Sequence, residues 1–462
     1  MHSSRWIVGT GIVAWLLATA LTWPSALSFG DEVGYVSQAR AVLDGTLRPT
    51  QDDVAVLVHS PHGEVPKYPP AFPVALAPLV ALSPKLVFLL PVLALAALTL
   101  GVARILEGLG HEASWALLFL AHPTFVLVGR TAMTDVPLAA LTVATWWTMR
   151  RGRLAGMAAF AALLVLCKPP GVLLGVLLGV GEIVRRRLYE GSGWRAIAVT
   201  LLPAVAGGAA GLAGALLLNL SATGELWYAY GDAHADRQVW SVAHLRTVGV
   251  RHLVTLVLLP PGLVLGAYPL WRRREFGPLL VGVGYVAWMS FYFFVDTGAS
   301  LLDTLVLSPR LILPAVAMLL VGYAFGLDSV ARRWQAGRAL RWVLLVVVPI
   351  VAIGVGRAHA GWHGPMAAAR EAAEEVGRSR GARALGVWRT PKEALLSELP
   401  VKMVDADAST SDGWPRVILC TARYRSRRYH EEPKRPCRLP GYDRAHRVDG
   451  YVVLHRSAGA AP

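Results

Sequence analysis

Three carboxylates follow apolar runs of the chain, at positions where they could do chemistry. Asp31 and Glu32 stand side by side in SFGDEVGYVSQARAVLDG, and Asp135 stands in GRTAMTDVP. A carboxylate that reaches a hydroxyl can take its proton as a general base. Ionisable side chains at the edge of an apolar run are costly, so they point to function by default. The structural alternative stays open for each, because Asp31 can be an interfacial or capping acid and Asp135 can cap a helix.

Three cations stand in comparable places: Lys67 in KYPP, Lys168 in CKPP and Arg310 in SPRLILP. Cations stabilise a leaving group that develops negative charge, above all a phosphate. Each cation taken alone can also be a side chain that snorkels to the membrane surface. The whole set, two acidic positions and three cations from five places in the chain, is less easily explained in that way.

The composition of the chain indicates that these residues belong to a helical membrane protein. The chain has 462 residues, of which 55% are hydrophobic and 16% are charged, and its mean hydropathy is +0.47. Apolar runs of membrane-spanning character recur along it. We predict about eleven spans, at residues 6–28, 85–106, 113–131, 136–149, 154–167, 170–184, 196–219, 252–271, 278–295, 309–327 and 342–356.

Short arginine clusters fix the predicted orientation. They lie in alternate connections between the spans, at residues 150–153, 185–187, 272–274 and 332–341. The positive-inside rule then puts the N-terminus in the cytoplasm and the predicted acids and cations on the exoplasmic face. The net charge of +15 is explained largely by these clusters, so we expect membrane lipids and no nucleic acid as partners.

Two domains are predicted. Residues 1–356 form the transmembrane domain, with 29–84 as its first exoplasmic loop, and residues 357–462 form a small exoplasmic α/β domain. In the second domain, RALGVW, PRVILCT and GYVVLHR have the character of short strands. Cys420 and Cys437 could pair there if the domain faces an oxidising compartment.

A lipid-linked sugar donor fits this arrangement. An exoplasmic site has no ready supply of nucleotide sugars, and the sequence holds no Walker or dinucleotide-binding glycine motif. A sugar on a polyprenyl phosphate would keep its tail in the bilayer and its phosphate beside the cations. His59, His62 and Glu64 lie close together in the sequence and could bind a divalent metal ion. We nevertheless predict no metal site, and the sequence indicates no other cofactor.

Five motifs occur in the order found in one group of enzymes: GDEVGYVSQARAVLDG, KYPPAFP, HPTFVLVGRTAMTDVPLAA, LLVLCKPPGVLL and SPRLILPAVAMLL. Over residues 1–330 the chain resembles GT-C fold glycosyltransferases of the family 39 type. That group includes protein O-mannosyltransferases and the aminoarabinose transferase of lipid A. The resemblance implies an inverting transferase of the bacterial inner membrane that moves a sugar to a lipid, glycan or protein acceptor of the cell envelope.

The resemblance also implies roles for individual residues. Asp31 matches the catalytic acid of the first loop, Glu32 stands beside it, and Asp135 matches the second acidic position. The donor phosphate would be held by Lys67, Lys168 and Arg310, although Leu311 replaces the aromatic residue that follows the arginine in the family. The secondary candidates are Arg130, Tyr68, His62 and Glu64.

Three alternatives remain open at this point. A transporter or flippase of envelope precursors would use the same acids and cations as a relay, but such proteins usually have repeated halves. A non-catalytic envelope assembly protein would tolerate the loss of Asp31. A GT-C enzyme of a neighbouring class would change the substrate and keep the mechanism.

Overall fold

The structure is a computed structural model, and it describes most of the chain. The described residues are 2–48, 57–60, 63–66, 68–226, 239–296, 300–334, 336–388, 396–404, 414–421, 437–448 and 451–457. Two predicted site residues, Lys67 and His62, lie outside them.

Helices dominate the part of the chain that the structure describes. The α-helices are α1 His2–Leu21, α2 Gly30–Leu43, α3 Ala71–Leu82, α4 Leu89–Gly108, α5 Leu118–Ala121, α6 Pro123–Val128, α7 Asp135–Arg151, α8 Leu154–Cys167, α9 Pro170–Val184, α10 Trp194–Thr223, α11 Val248–Leu258, α12 Ala267–Arg272, α13 Phe276–Leu280, α14 Val286–Met289, α15 Leu301–Leu307, α16 Leu313–Arg333 and α17 Ala336–Ser379. The strands are β1 Leu57–Ser60, β2 Gly63–Pro66, β3 Leu385–Trp388, β4 Val401–Met403, β5 Val417–Thr421, β6 Tyr442–Val448 and β7 Tyr451–Arg456.

Several of these helices have the length and composition of membrane spans. Among the described residues, four segments are long and apolar enough to cross a bilayer: Pro84–Gly108, Trp194–Thr223, Leu301–Arg333 and Ala339–Gly361. Shorter apolar helices are Arg5–Leu21, Ala71–Leu82, Leu154–Cys167 and Phe276–Met289. Helices α8 and α9 have the bounds that the sequence predicts.

Other predicted spans differ from the observed elements. The run 113–131 is a 3-10 turn followed by α5 and α6, with a break before Pro123. The run 252–271 is broken after Leu258, because Pro260 and Pro261 follow and a proline lacks the N–H of a continuing helix. The predicted first loop, residues 29–84, contains α2, α3 and a hairpin of β1 and β2 among its described residues.

The chain divides into two compact units. The first unit comprises Met1–Trp23, Phe88–Leu220 and Glu225–Arg357, and the second comprises Pro24–Val87, Ser221–Gly224 and Ala358–Pro462. In the first unit, α7 packs against α4, α8, α9 and α16. Helix α16 is apolar on nearly every side and mostly buried, as expected for a helix at the centre of a bundle.

Small residues allow close helix contacts in the first unit. Gly207 and Gly211 of α10 lie four residues apart and face the backbone of Ala158 and Ala162 of α8. A Cβ at either glycine would collide with that backbone. This is the small-residue packing that helices use inside membranes, where no hydrophobic driving force pulls them together.

The second unit contains a five-stranded sheet in the order β4-β3-β5-β7-β6. Strand β3 is parallel to β4 and β5, whereas β7 is antiparallel to β5 and β6. Its core includes Ile418, Leu454 and a disulfide between Cys420 and Cys437. In the same unit α2 packs against α3, and the Arg40 guanidinium donates to the Ser397 carbonyl at 2.7 Å. Burial lowers the pKa of Arg40 from its usual value.

Candidate active-site residues

Three predicted site residues meet in the first unit. Asp135 begins α7, Lys168 follows the end of α8, and Arg310 lies in the 3-10 turn before α16. Lys168 Nζ is 2.8 Å from Asp135 Oδ1, and Arg310 Nη1 is 3.8 Å from Asp135 Oδ2. Arg310 Nε also donates to Asp296 Oδ2 at 2.5 Å. We call these four residues the Asp135 cluster.

The centre of the Asp135 cluster is buried, whereas the Lys168 side chain is 21% exposed and that of Asp296 is 13% exposed. Asp135 is 2% exposed and Arg310 is 3% exposed. An ion in such surroundings is tolerated only when opposite charges and hydrogen bonds compensate the loss of water. Within the part of the chain that the structure describes, the two carboxylates and two cations of the cluster are equal in formal charge. An anion that binds to this cluster must therefore compete with the carboxylates for the cations.

Asp31 has a different setting in the second unit. It lies in the first turn of α2 and is half-buried. The Tyr68 hydroxyl donates to Asp31 Oδ1 at 2.6 Å. The Tyr68 ring packs against Tyr35 with a centroid separation of 4.8 Å and against Gly34, where a Cβ would collide with it. Packing thus holds the hydroxyl in place against the carboxylate.

Glu32 lies beside Asp31 in a setting of its own. Its side chain is fully buried, and its carboxylate accepts the backbone N–H groups of Ser28 at 2.5 Å and Phe29 at 2.7 Å. This is one half of a capping box, in which an acid in the first turn satisfies the N–H of the residue that precedes the helix. His359 contacts the Ser28 hydroxyl beside it. Glu32 therefore fixes the start of α2, and with it the position of Asp31.

The secondary candidates lie in different settings. Arg130 is fully buried between α6 and α7, where it donates to the Thr22 hydroxyl at 2.6 Å and to the Thr22 carbonyl. It anchors the chain that follows α1. Glu64 lies in β2 opposite His59, and the side chains of that hairpin lie outside the described part of the chain. The described residues contain no cluster of three or more metal-ligating side chains.

Asp296 is a member of the Asp135 cluster that the sequence analysis missed. It ends the apolar stretch FYFFVD, in the same way that Asp31 follows the first apolar run. The signal that selected Asp31 would therefore have selected Asp296 as well.

Comparisons with known proteins support the fold. No protein-family model and no curated protein matches the chain. A solved structure of ArnT from Cupriavidus metallidurans bound to undecaprenyl phosphate matches with a TM-score of 0.64 and 14% identity, over 99% of both chains. The structure of the same protein in the apo state matches with a TM-score of 0.55 and 15% identity, over 100% of both chains. The predicted fold class is confirmed: the chain is a polytopic, all-α membrane protein of the GT-C fold with a small C-terminal α/β appendage.

Proposed function

We propose that the chain is an integral-membrane glycosyltransferase. It moves a sugar from a polyprenyl-phosphate donor to a lipid, glycan or protein acceptor of the cell envelope, with inversion at the anomeric carbon. The observation that carries this proposal is the convergence of Lys168 and Arg310 on Asp135 from three separate places in the chain. The fold shared with a protein that binds undecaprenyl phosphate supports the choice of donor.

The donor phosphate is assigned to the cations. When the sugar leaves, the bond between its anomeric carbon and the phosphate oxygen breaks, and the electron pair remains on the phosphate. Lys168 and Arg310, together with the sequence-predicted Lys67, balance that charge. Cations fixed before the reaction stabilise developing charge strongly, because they need no reorganisation when it appears. Before that charge develops, Asp135 and Asp296 hold the cations in position.

We assign the deprotonation of the acceptor to Asp31. The acceptor oxygen forms its bond to the anomeric carbon from the face opposite the leaving phosphate, and its proton passes to the Asp31 carboxylate. The Tyr68 hydroxyl keeps this carboxylate in one orientation through its 2.6 Å hydrogen bond. Glu32 is a positioning residue, because it acts through the start of α2.

The compartment is part of the proposal. The N-terminus would lie in the cytoplasm of a bacterium, with the reacting groups and residues 357–462 on the periplasmic face of the inner membrane. The disulfide between Cys420 and Cys437 supports this orientation, because disulfides persist in oxidising compartments.

A mass-spectrometric profile of envelope glycolipids, glycans and glycoproteins tests the proposal. It compares a strain that lacks the gene with strains restored by the intact protein, by Asp31→Asn and by Asp44→Asn, at equal membrane abundance. Asp44 is the matched control, because it is an exposed acid at the other end of α2. We expect one sugar to vanish from one acceptor, to return with the intact protein and with Asp44→Asn, and to stay absent with Asp31→Asn. Full restoration by Asp31→Asn would refute the assignment of the base.

A further inference from the structure

A second site of charged residues lies in the first unit, at the C-terminal end of α16. A cavity of about 610 Å³ opens there. Its lining includes three arginines, Arg332, Arg333 and Arg341, and two acids, Glu112 and Asp328. The proposed transfer reaction uses none of these residues.

The charges of the lining leave a positive excess. Arg332 Nη2 is 2.6 Å from Asp328 Oδ2, and Arg341 Nη1 is 2.8 Å from Glu112 Oε2. Arg333 is exposed and has no ion-pair partner among the residues that the structure describes. Arg332 Nη2 also donates to the Gly110 carbonyl. A guanidinium has five N–H donors, so these partners occupy only part of Arg332, and a single carboxylate occupies only part of Arg341.

Asp328, the buried acid of the cavity, has several hydrogen-bond and ion-pair partners. Asp328 also lies 2.7 Å from His111 Nδ1 and accepts from Trp115 Nε1 at 3.2 Å. It is 1% exposed, whereas the Arg332 side chain is 57% exposed. If an anion binds Arg332 and Arg333, Asp328 therefore keeps its contacts with His111 and Trp115.

The cavity belongs to the membrane face opposite the Asp135 cluster. Arg310 precedes the first residue of α16, and Arg332 and Arg333 end this helix of 21 residues. At 1.5 Å per residue the helix is about 32 Å long, close to the ~30 Å thickness of the hydrocarbon core. The cavity therefore cannot be part of the proposed donor site.

Aromatic residues indicate that the cavity borders lipid. Trp334 lines it and is 69% exposed, and Trp342 in the next helix is 59% exposed. Beyond Trp342, α17 continues with exposed apolar side chains such as Val346 and Ile350. Tryptophan is enriched where a membrane helix reaches the headgroups, because one end of its ring system is apolar and the other donates a hydrogen bond.

We propose that this cavity binds the phosphate of an anionic phospholipid in the leaflet opposite the Asp135 cluster. The lipid phosphate would receive hydrogen bonds from Arg333 and from the exposed part of Arg332, as a charge-assisted pair. The acyl chains would lie along α17. Basic pockets at the ends of membrane helices bind such headgroups.

Native mass spectrometry of the detergent-purified full chain tests this proposal. Phosphatidylglycerol is titrated into the intact protein and into Arg333→Gln, Arg333→Glu and Arg153→Gln. Arg153 is the matched control, because it is an exposed arginine in another of the arginine clusters and no ion pair involves it in the described part of the chain. Phosphatidylcholine of the same acyl chains and soluble glycerol 3-phosphate form the other arms.

We expect Arg333→Gln to weaken phosphatidylglycerol binding by about fivefold, Arg333→Glu to weaken it further, and Arg153→Gln to leave it unchanged. Equal melting temperatures of the variants would show that folding is intact. Equal losses for Arg333→Gln and Arg153→Gln would refute the site, since binding would then follow overall charge. Equally tight binding of phosphatidylcholine or of glycerol 3-phosphate would also overturn the proposal.

Discussion

Asp31 and Asp135 both lie in the first turn of a helix, yet they differ in exposure and in the partners that the described residues supply. Asp31 is half-buried and receives a hydrogen bond from a neutral hydroxyl, that of Tyr68, at 2.6 Å. Asp135 is 2% exposed and is shared by Lys168 at 2.8 Å and Arg310 at 3.8 Å. Among the described residues, Asp31 accepts a hydrogen bond from a hydroxyl, whereas Asp135 lies between two cations.

This difference suggests a division of labour. A general base must be reached by the proton that it takes, which favours the half-buried Asp31. A buried acid between two cations holds those cations in place, and removing one partner of such a set is costly. The following variants test the division, from the largest expected effect on sugar transfer to the smallest.

Replacement of the base should have the largest effect. Asp31→Asn keeps the shape of the side chain and removes its ability to take a proton. We expect the transfer rate to fall by about 10²- to 10⁴-fold, the usual contribution of general-base catalysis. The measurement is sugar transfer in reconstituted vesicles. A fall of similar size with Asp44→Asn would show that α2, and not the base, is responsible.

Removal of a cation should have the next largest effect. Lys168→Met takes a charged hydrogen-bond donor from the Asp135 cluster, so we expect the KM for the lipid-phosphate donor to rise about 10- to 100-fold. It should also destabilise the protein by about 3 kcal/mol, because the buried Asp135 loses the nearer of its two cationic partners. Transfer kinetics at varied donor concentration and thermal unfolding measure the two effects.

Two further variants separate binding from structure. Lys85→Met is the control, because the Lys85 side chain is 42% exposed and its Nζ lies 3.7 Å from Glu398 Oε1. It should leave KM and stability unchanged. The double variant Lys168→Met with Asp135→Asn should regain stability and keep the high KM. If the double variant also regained the normal KM, the role of Lys168 would be structural alone.

Loss of the orienting hydroxyl should have a smaller effect. Tyr68→Phe removes the hydrogen bond to Asp31, and we expect kcat to fall about tenfold with KM unchanged. Gly34→Ala should act in the same direction, because its Cβ would push the Tyr68 ring away. Tyr323→Phe is the matched control, since that hydroxyl donates at 3.1 Å to the carbonyl of Pro261, a residue outside the proposed site. An unchanged kcat for both Tyr68→Phe and Gly34→Ala would show that the Tyr68 hydroxyl does not orient the Asp31 carboxylate for catalysis.

Loss of the disulfide should not affect transfer. Cys420→Ala with Cys437→Ala opens a loop with a sequence separation of 17 residues, which should cost the local sheet about 3 kcal/mol. Limited proteolysis should then cleave the C-terminal region faster, and the intact protein under reducing conditions should behave in the same way. A collapse of the transfer rate would show that the sheet positions reacting groups.

The sequence predicts the Asp135 cluster better than the setting of Asp31. Lys168 and Arg310 stand at the ends of apolar runs, and α8 has the predicted bounds, so their meeting with Asp135 follows from counting spans. The sequence predicts a loop over 29–84 and does not predict α2, because the apolar and polar residues of this helix do not divide into two faces. The contact between Asp31 and Tyr68 depends on the packing of α2 against α3, which no local pattern specifies.

The C-terminal sheet shows the same limit. The buried strands β3, β5 and β7 fall within the predicted runs, because short apolar stretches are the strongest strand signal. Strand β6 was missed, because it lies at the edge of the sheet and its sequence YDRAHRV is largely charged. Charged residues are a common protection of edge strands, and they also conceal such strands from a hydrophobicity pattern.

Equilibrium binding of undecaprenyl phosphate to the purified protein tests the central claim most directly. The intact protein is compared with Asp31→Asn and Lys168→Met. If Asp31 is the base and the Asp135 cluster holds the phosphate, Asp31→Asn should bind as tightly as the intact protein, and Lys168→Met should bind at least about tenfold more weakly. Loss of binding with Asp31→Asn, and normal binding with Lys168→Met, would contradict the assignment of the two acids.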